Sequence, residues 1–289
     1  MVADIITKTI SEGNKVAVVL SAMGEETDRL IDLAKSIHAE PNLREYDALV
    51  STGEQISVAL MAMALSKRNL KAKSYTAYQL GIKTNEVHGR ARIMHVKVDK
   101  LKRQLKKGVI PVITGFQGMN DEGDITTLGR GGSDTTGVAI AVALQADECQ
   151  IYTDVDGVYT ADPRIVPDAR KLDEISYDEM LEMAATGAKV MQSRSVEFAK
   201  KFNVKFEVRS SLNNNPGTIV TEETDIMEAV VIRGVALDKN QAKVTLVGVP
   251  DQPGMAARVF STLAGASINI DMIVQNISHG TATPATDLS

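Results

Sequence analysis

The chain has 289 residues, 44% of them hydrophobic, a formal net charge of −5 and a pI near 5.5. This is enough apolar material for one large domain or two ordinary ones and excludes wholesale disorder. An acidic balance without a basic, aromatic-interleaved stripe argues against nucleic-acid binding. No apolar run approaches the roughly 20 residues of a membrane helix, and Met1–Ile6 lacks the basic leader of a signal peptide. A soluble, cytoplasmic protein without membrane contact is expected. The single cysteine, Cys149, excludes an internal disulfide and is expected at a buried strand edge rather than as a nucleophile. His38, His88, His95 and His279 show no metal-ligand spacing, so no protein-held metal is expected.

In chain order, Val2, Ile5, Ile6, Thr9 and Ile10 make a helical stripe over residues 2–12, stopped by Gly13-Asn14. Lys15–Leu20 reads as a buried parallel strand, followed by a loop and a helix from about Thr27 to Ile37. Ser21 and Thr27, at the carboxyl end of that strand, are placed either to meet a ligand or to cap the helix. Residues 45–65 carry helical spacing interrupted by Ser51-Thr52-Gly53-Glu54-Gln55. A glycine inside a helix costs on the order of 1 kcal/mol relative to alanine, so a break or a close approach is expected, with Glu54 beside it. Then come a strand at Ala72–Tyr75, a polar loop to about His88, a helix at Val98–Lys107 and a buried strand at Val109–Thr114.

The stretch Thr126-Thr127-Leu128-Gly129-Arg130-Gly131-Gly132-Ser133-Asp134 reads as a turn between the strand at 109–114 and a helix at 135–146. Backbone N–H groups in such a turn, and the helix start behind it, attract anions. The same glycines also suit a plain tight connection with Asp134 as the helix cap. Arg130 favours a ligand site, because a guanidinium fork holds a carboxylate or phosphate through two bonds.

Strand 150–153 runs into Asp154-Val155-Asp156-Gly157, which is half of a calcium loop. The preceding strand and Pro163 exclude that reading. A loop with Tyr159 and Arg164 beside acidic residues suits a nucleotide, and equally an Asx-bonded surface turn. Ser176 and Glu179 form a capping box for a helix that Gly187 ends, Lys189-Val190 follows, and a helix at 193–202 and a strand at 204–208 come next. A boundary is expected between 224 and 228. Beyond it lie a strand at 230–237, a strand at 243–249, a helix at 255–264 and a strand at 268–277, with residues 279–289 expected to be disordered.

Taken together, Val19-Leu20-Ser21-Ala22-Met23, Ser51-Thr52-Gly53-Glu54, the 126–134 stretch, Thr153–Tyr159, Asp162-Pro163-Arg164 and Gly248-Val249-Pro250-Asp251-Gln252-Pro253-Gly254 resemble the aspartate kinases over residues 1–278. The resemblance implies a three-layer α/β amino-acid kinase fold with a mostly parallel sheet over 1–224, and a partial α+β ACT-like module over 228–278. It implies ATP-dependent phosphorylation of the side-chain carboxylate of L-aspartate, the first step towards lysine, threonine and methionine, with magnesium carried by the nucleotide.

By resemblance, Arg130 and Glu54 hold the α-carboxylate and α-ammonium of aspartate, and Ser21, Thr27 and Ser133 complete the pocket. Asp134 orients Arg130, a transferring lysine or magnesium. ATP lies across Thr153, Asp154, Tyr159, Asp162, Arg164, Lys189 and Val190. Asp251, Gly254, Ala256 and Gln275 border an effector pocket for lysine or threonine, and ACT pairing implies a homo-oligomer. Two departures are visible: the family's first strand with its Lys-Phe/Tyr-Gly-Gly turn has no counterpart before Lys15, and the pattern breaks after Gly280. A truncated and poorly active kinase is therefore expected. The competing readings are a catalytically silent amino-acid-binding or regulatory subunit and a kinase of another amino acid, against which Glu54 and the ACT-like segment argue.

Overall fold

The computed structural model describes residues 1–185, 190–223, 234–237, 242–250, 252–266, 270, 273–277 and 285–288. The chain begins α1 (Val2–Ser11), β1 (Val18–Leu20), α2 (Glu26–Ile37), α3 (Leu43–Val50), α4 (Thr52–Ser66), β2 (Ala72–Tyr75), α5 (Ala77–Leu80), β3 (Ile82–Thr84), β4 (Ile93–Val96) and α6 (Asp99–Lys106). It continues β5 (Ile110–Thr114), β6 (Gln117–Met119), β7 (Ile125–Thr127), α7 (Gly132–Leu144), β8 (Cys149–Thr153), β9 (Glu174–Ser176), α8 (Tyr177–Ala185), α9 (Ser193–Lys201), β10 (Phe206–Ser210) and β11 (Thr218–Thr221). The last elements are β12 (Leu246–Pro250), α10 (Met255–Gly265), β13 (Gln275–Ile277) and β14 (Ala285–Leu288). Contacts divide the chain into two units, Met1–Leu237 and Asp238–Ser289.

In the first unit β1, β5 and β2 form a parallel sheet with β5 in the middle. Strand side chains alternate between faces. Val18, Ile110 and Val112 therefore pack with Val58 and Leu65 of α4 and with Ala3 and Ile6 of α1. Tyr75 and Ile113 pack on the other side with Leu101 of α6 and Ile140 of α7. Helices cover both faces, which makes three layers.

A second sheet runs β8-β10-β11-β9, with β8 parallel to β10 and β11 parallel to β9. Its core, built on Ile151, Ile175, Met180, Val196, Phe206 and Val208, includes Val138 of α7. Helix α7 is thus buried on several sides, as its nearly uninterrupted apolar run requires. It packs against both β1 and β8.

Several sequence expectations need correction. The segment to His88 holds α5, opened by a Thr76–Gln79 capping box, and β3, while residues 93–96 form β4. These pieces are three or four residues long, too short to show a period. The glycine stretch does not follow the strand at 109–114 directly, because a β6–β7 hairpin intervenes and joins a sheet of order β4-β3-β6-β7. That hairpin buries Gln117, Thr126 and Thr127, so it carries no apolar alternation. β11 was not anticipated either; it pairs with both β10 and β9. Leu43–Ser66 is long and apolar enough by composition to cross a membrane, contrary to the reading of the sequence. It is the α3–α4 pair, which buries Val50, Val58 and Leu65 in the first unit.

The boundary expected at 224–228 falls outside the described residues. So do residues 230–233 of the strand expected there; residues 234–237 are not a strand and group with the first unit, where the Val235 N–H donates to the Thr160 carbonyl at 2.8 Å. In the second unit, β12 and β13 flank β14, which is antiparallel to both. Residues 285–288 of the supposedly disordered tail are thus the middle strand. Backbone pairing on both sides overrides their weak apolar pattern.

Ile113→Ala removes a fully buried side chain from the middle strand and leaves a cavity beneath Tyr75 and Ile140. A loss of about 2–5 kcal/mol is expected in urea unfolding; a loss below about 1 kcal/mol would contradict this packing.

Candidate active site

The site forms where β1 and β5 end. Leu20 pairs with Thr114, and the Gly115 N–H donates to the Leu20 carbonyl at 2.9 Å, so the strands stay together one residue further. Beyond that point Ser21-Ala22 leads towards α2, and Phe116 turns away at φ 66°. The crevice at the carboxyl ends of such strands is where open α/β sheets bind ligands.

Three segments converge there. At the start of α4, Glu54 Oε1 accepts the Ala22 N–H at 3.0 Å. A Cβ on Gly53 would come within 2.9 Å of the Ala22 Cβ, which is the close approach that the interrupted helical spacing anticipated. From the other side, Ser133 lies directly against Gly115, where an added Cβ would sit 2.6 Å from its hydroxyl. Ser21 is exposed and Thr27, in the first turn of α2, is half-buried.

Glu54 is 2% exposed, and its second oxygen, Oε2, has no partner. Burial pushes its pKa up to about 7, opposed by its own N–H and then by the Ala22 N–H. Asp134, in the first turn of α7, is pushed up to about 6 by burial. Its charge, with burial as the larger cause, raises the nearby Cys149 thiol to about 11, so that cysteine stays protonated on β8, the edge strand of its sheet. Arg130 is exposed, forms no ion pair with a described residue, and sits between Gly129 and Gly131 at φ 78° and 67°. At Gly131 this left-handed backbone excludes most side chains. An unpaired exposed cation on one side and a buried, half-satisfied carboxylate on the other suit a small zwitterion.

Thr153 ends β8, where its carbonyl accepts the Ser211 N–H at 2.8 Å and hydroxyl at 3.0 Å. Its own hydroxyl donates to Asp154 Oδ1 at 2.9 Å. The loop beyond is anchored by Thr218, whose hydroxyl accepts the Val158 N–H at 2.8 Å and donates to the Leu172 carbonyl at 2.6 Å. The Tyr159 hydroxyl donates to Asp156 at 2.7 Å, which lowers that carboxyl's pKa. Asp162 holds the Arg164 guanidinium on both oxygens, at 3.0 and 2.8 Å. Val190 packs at the edge of the core around Phe206. Thr153, Asp154, Tyr159, Asp162 and Arg164 thus share one loop at the carboxyl end of β8. Lys189 lies outside the described residues.

In the second unit Gly254, at φ 92°, opens α10, Ala256 lies in its first turn and Gln275 begins β13. Asp251 lies outside the described residues.

Sequence reasoning missed Asp47. It is fully buried in α3 and accepts from the Thr127 N–H at 3.0 Å, the Thr127 hydroxyl at 2.5 Å and the Gly89 N–H at 2.9 Å, with His88 Nδ1 also at 2.9 Å. The available signal was its position three residues before Val50, on the inward stripe of the helix.

The model of the amino acid kinase family matches residues 1–210, and an ACT domain model matches residues 244–283. An aspartate kinase of Pseudomonas fluorescens is 54% identical over 288 residues, covering 99% of this chain and 70% of its own length. Two solved structures of Escherichia coli aspartokinase III superimpose with a TM-score of 0.72, each covering 99% of this chain. One, in complex with lysine and aspartate (T-state), is 31% identical with 61% of its chain covered. The other, in complex with aspartate and ADP (R-state), is 30% identical with 60% covered. This chain therefore spans about three fifths of those solved chains.

Because the folded state prefers Glu54 protonated, its stability is full below the unfolded pKa of 4.5 and falls as pH rises to about 7. The ionised, half-satisfied carboxylate then costs on the order of 3 kcal/mol. Glu54→Gln should consequently be more stable than the parent at pH 8 by up to about that amount and nearly equal to it at pH 4.5, in urea unfolding at both values. A difference that does not change with pH would refute the assignment.

Proposed function

Since this chain belongs to the aspartate kinases, within the amino acid kinase family, we propose that it transfers the γ-phosphoryl group of ATP to the side-chain carboxylate of L-aspartate. The observation that carries this reading is the buried Glu54 Oε2 without a partner at the carboxyl end of β1, aligned with what an α-ammonium group requires. Arg130 takes the α-carboxylate. Ser21, Thr27 and Ser133 supply hydroxyls around the substrate. The acceptor carboxylate, which in water ordinarily titrates at about 3.9, is already ionised at neutral pH, so no general base is required. Catalysis is then positioning and charge neutralisation.

Thr153, Asp154, Tyr159, Asp162, Arg164, Lys189 and Val190 make up the nucleotide side, with Arg164 exchanging Asp162 for phosphate. Magnesium enters on the nucleotide's phosphates. Asp134, in the first turn of α7, orients Arg130, a transferring lysine or the nucleotide's magnesium. Support for nucleotide and aspartate use comes from aspartokinase III, which was crystallised with aspartate and ADP. The product, aspartyl phosphate, serves the biosynthesis of lysine, threonine and methionine.

The ACT-like segment binds an amino-acid effector, lysine or threonine, and pairs with a second copy of itself, with Asp251, Gly254, Ala256 and Gln275 at the effector pocket. Exposed Val244, Val247, Ile273 and Val274 support the pairing, since a dense apolar surface on a small unit calls for cover.

Arg130→Ala should abolish measurable aspartate binding in calorimetry while leaving the affinity for a non-hydrolysable ATP analogue within about twofold, because a bidentate charge-assisted contact is lost at one subsite only. Aspartate affinity should also fall about tenfold per pH unit below 7, where Glu54 must first lose its proton, and Glu54→Gln should flatten that slope. Formation of hydroxamate from aspartate and ATP tests turnover. Binding of both ligands without turnover would instead favour a catalytically silent binding subunit. Analytical ultracentrifugation should show a dimer or larger assembly that Val247→Glu weakens at least about tenfold; a monomer unaffected by the change would overturn the pairing.

A further inference from the structure

Arg194 stands in the first turn of α9, two residues beyond Gln192, and the mechanism above does not use it. Its guanidinium donates from Nη1 to the Leu128 carbonyl at 2.7 Å and from Nη2 to the Ala91 carbonyl. Both acceptors frame the glycine turn. Leu128 immediately precedes Gly129-Arg130-Gly131. Ala91 belongs to the loop whose Gly89 carbonyl would lie 3.1 Å from a Cβ on Gly129, and the Ala91 N–H donates to the Thr127 carbonyl at 2.9 Å.

Asp47 secures the same two segments through their donors, accepting from the Gly89 N–H and from the Thr127 N–H and hydroxyl. One buried anion thus collects the N–H and O–H groups, and one cation collects the carbonyls. Gln192 completes the arrangement, since a Cβ on Gly131 would come within 2.3 Å of its Cγ. The hydrogen-bond acceptors of Arg194 are neutral backbone carbonyls; burial and then Arg92 lower its pKa, while Glu197 acts the other way.

We infer that Arg194 is a positioning residue for Arg130, clamping the Leu128–Gly131 turn to the start of α9 so that the substrate-binding guanidinium is presented from a fixed backbone. The segment that precedes α9 is the proposed nucleotide segment ending at Val190, so the same clamp holds the aspartate turn in register with the nucleotide side. The inference rests on the proposed role of Arg130. A planar fork can bridge two separate carbonyls, whereas an ammonium group reaches one of them well.

The test uses the full chain with Arg194→Met, which keeps the apolar stem, and Arg194→Lys. Peptide-level hydrogen exchange over residues 126–133 is measured beside calorimetry with aspartate and with an ATP analogue. In Arg194→Met the 126–133 amides should exchange about tenfold faster while the β8–β10 region keeps its protection, aspartate affinity should fall about tenfold, and nucleotide affinity should change less than about twofold. Arg194→Lys should lie between the parent and the Met variant. Unchanged exchange at 126–133 would overturn the clamp, and so would a uniform loss of protection with equal losses for both ligands, which marks a purely structural residue. Failure of the parent chain to bind aspartate would remove the role assigned to Arg130, and exchange at 126–133 would then decide the clamp alone.

Discussion

Everything at the site depends on how the protein treats one buried carboxylate. Glu54 is almost fully removed from water, yet only one of its oxygens is satisfied, by the Ala22 N–H. That bond ties the start of α4 to the end of β1. The other oxygen is buried without a partner. Burying a charge without a partner is costly, and proteins ordinarily neutralise or pair it. Here burial favours proton uptake, so the ionised form of this carboxylate lowers stability as pH rises towards about 7.

Helix α7 organises what surrounds that carboxylate. Its apolar length packs against both β1 and β8, so two sheets of the first unit fix the helix whose first turn carries Ser133 and Asp134. Ser133 rests on Gly115 at the end of β5, and the charge of Asp134 reaches Cys149 on β8. One helix therefore presents groups to the ends of both sheets, and it does so from a rigid, buried element. The loop after β8 is held differently: Thr218 anchors it, Asp154 accepts the Thr153 hydroxyl, and Asp162 holds Arg164. The Glu54 side thus keeps an unpartnered oxygen, whereas the loop after β8 has its carboxylates bonded by neighbouring residues.

Much was legible in the sequence wherever a local pattern was strong. The stripe of α1, the apolar run of β5, the break at Gly53 and the Ser176–Glu179 capping box each came from short-range chemistry, and each stands in the structure. The glycine stretch marked a turn before α7, and the order of motifs led to the right family. The β6–β7 hairpin stayed hidden, because it buries threonines and a glutamine rather than alternating apolar residues. So did Ala285–Leu288, which is a strand because two neighbours supply hydrogen bonds to both of its edges.

The sequence by itself determined which residue types stand at the site, since Glu54, Arg130, Ser133 and Asp134 are set by local motifs and their chemistry does not depend on distant partners. Only the tertiary structure decided that Glu54 keeps one oxygen unpaired, that the charge of a partly buried Asp134 reaches Cys149, and that Asp47 and Arg194 hold the glycine turn from two sides. Those properties are desolvation and long-range hydrogen bonding. Both depend on the packed fold, and the hydrogen bonds join segments 32 to 103 residues apart in the chain.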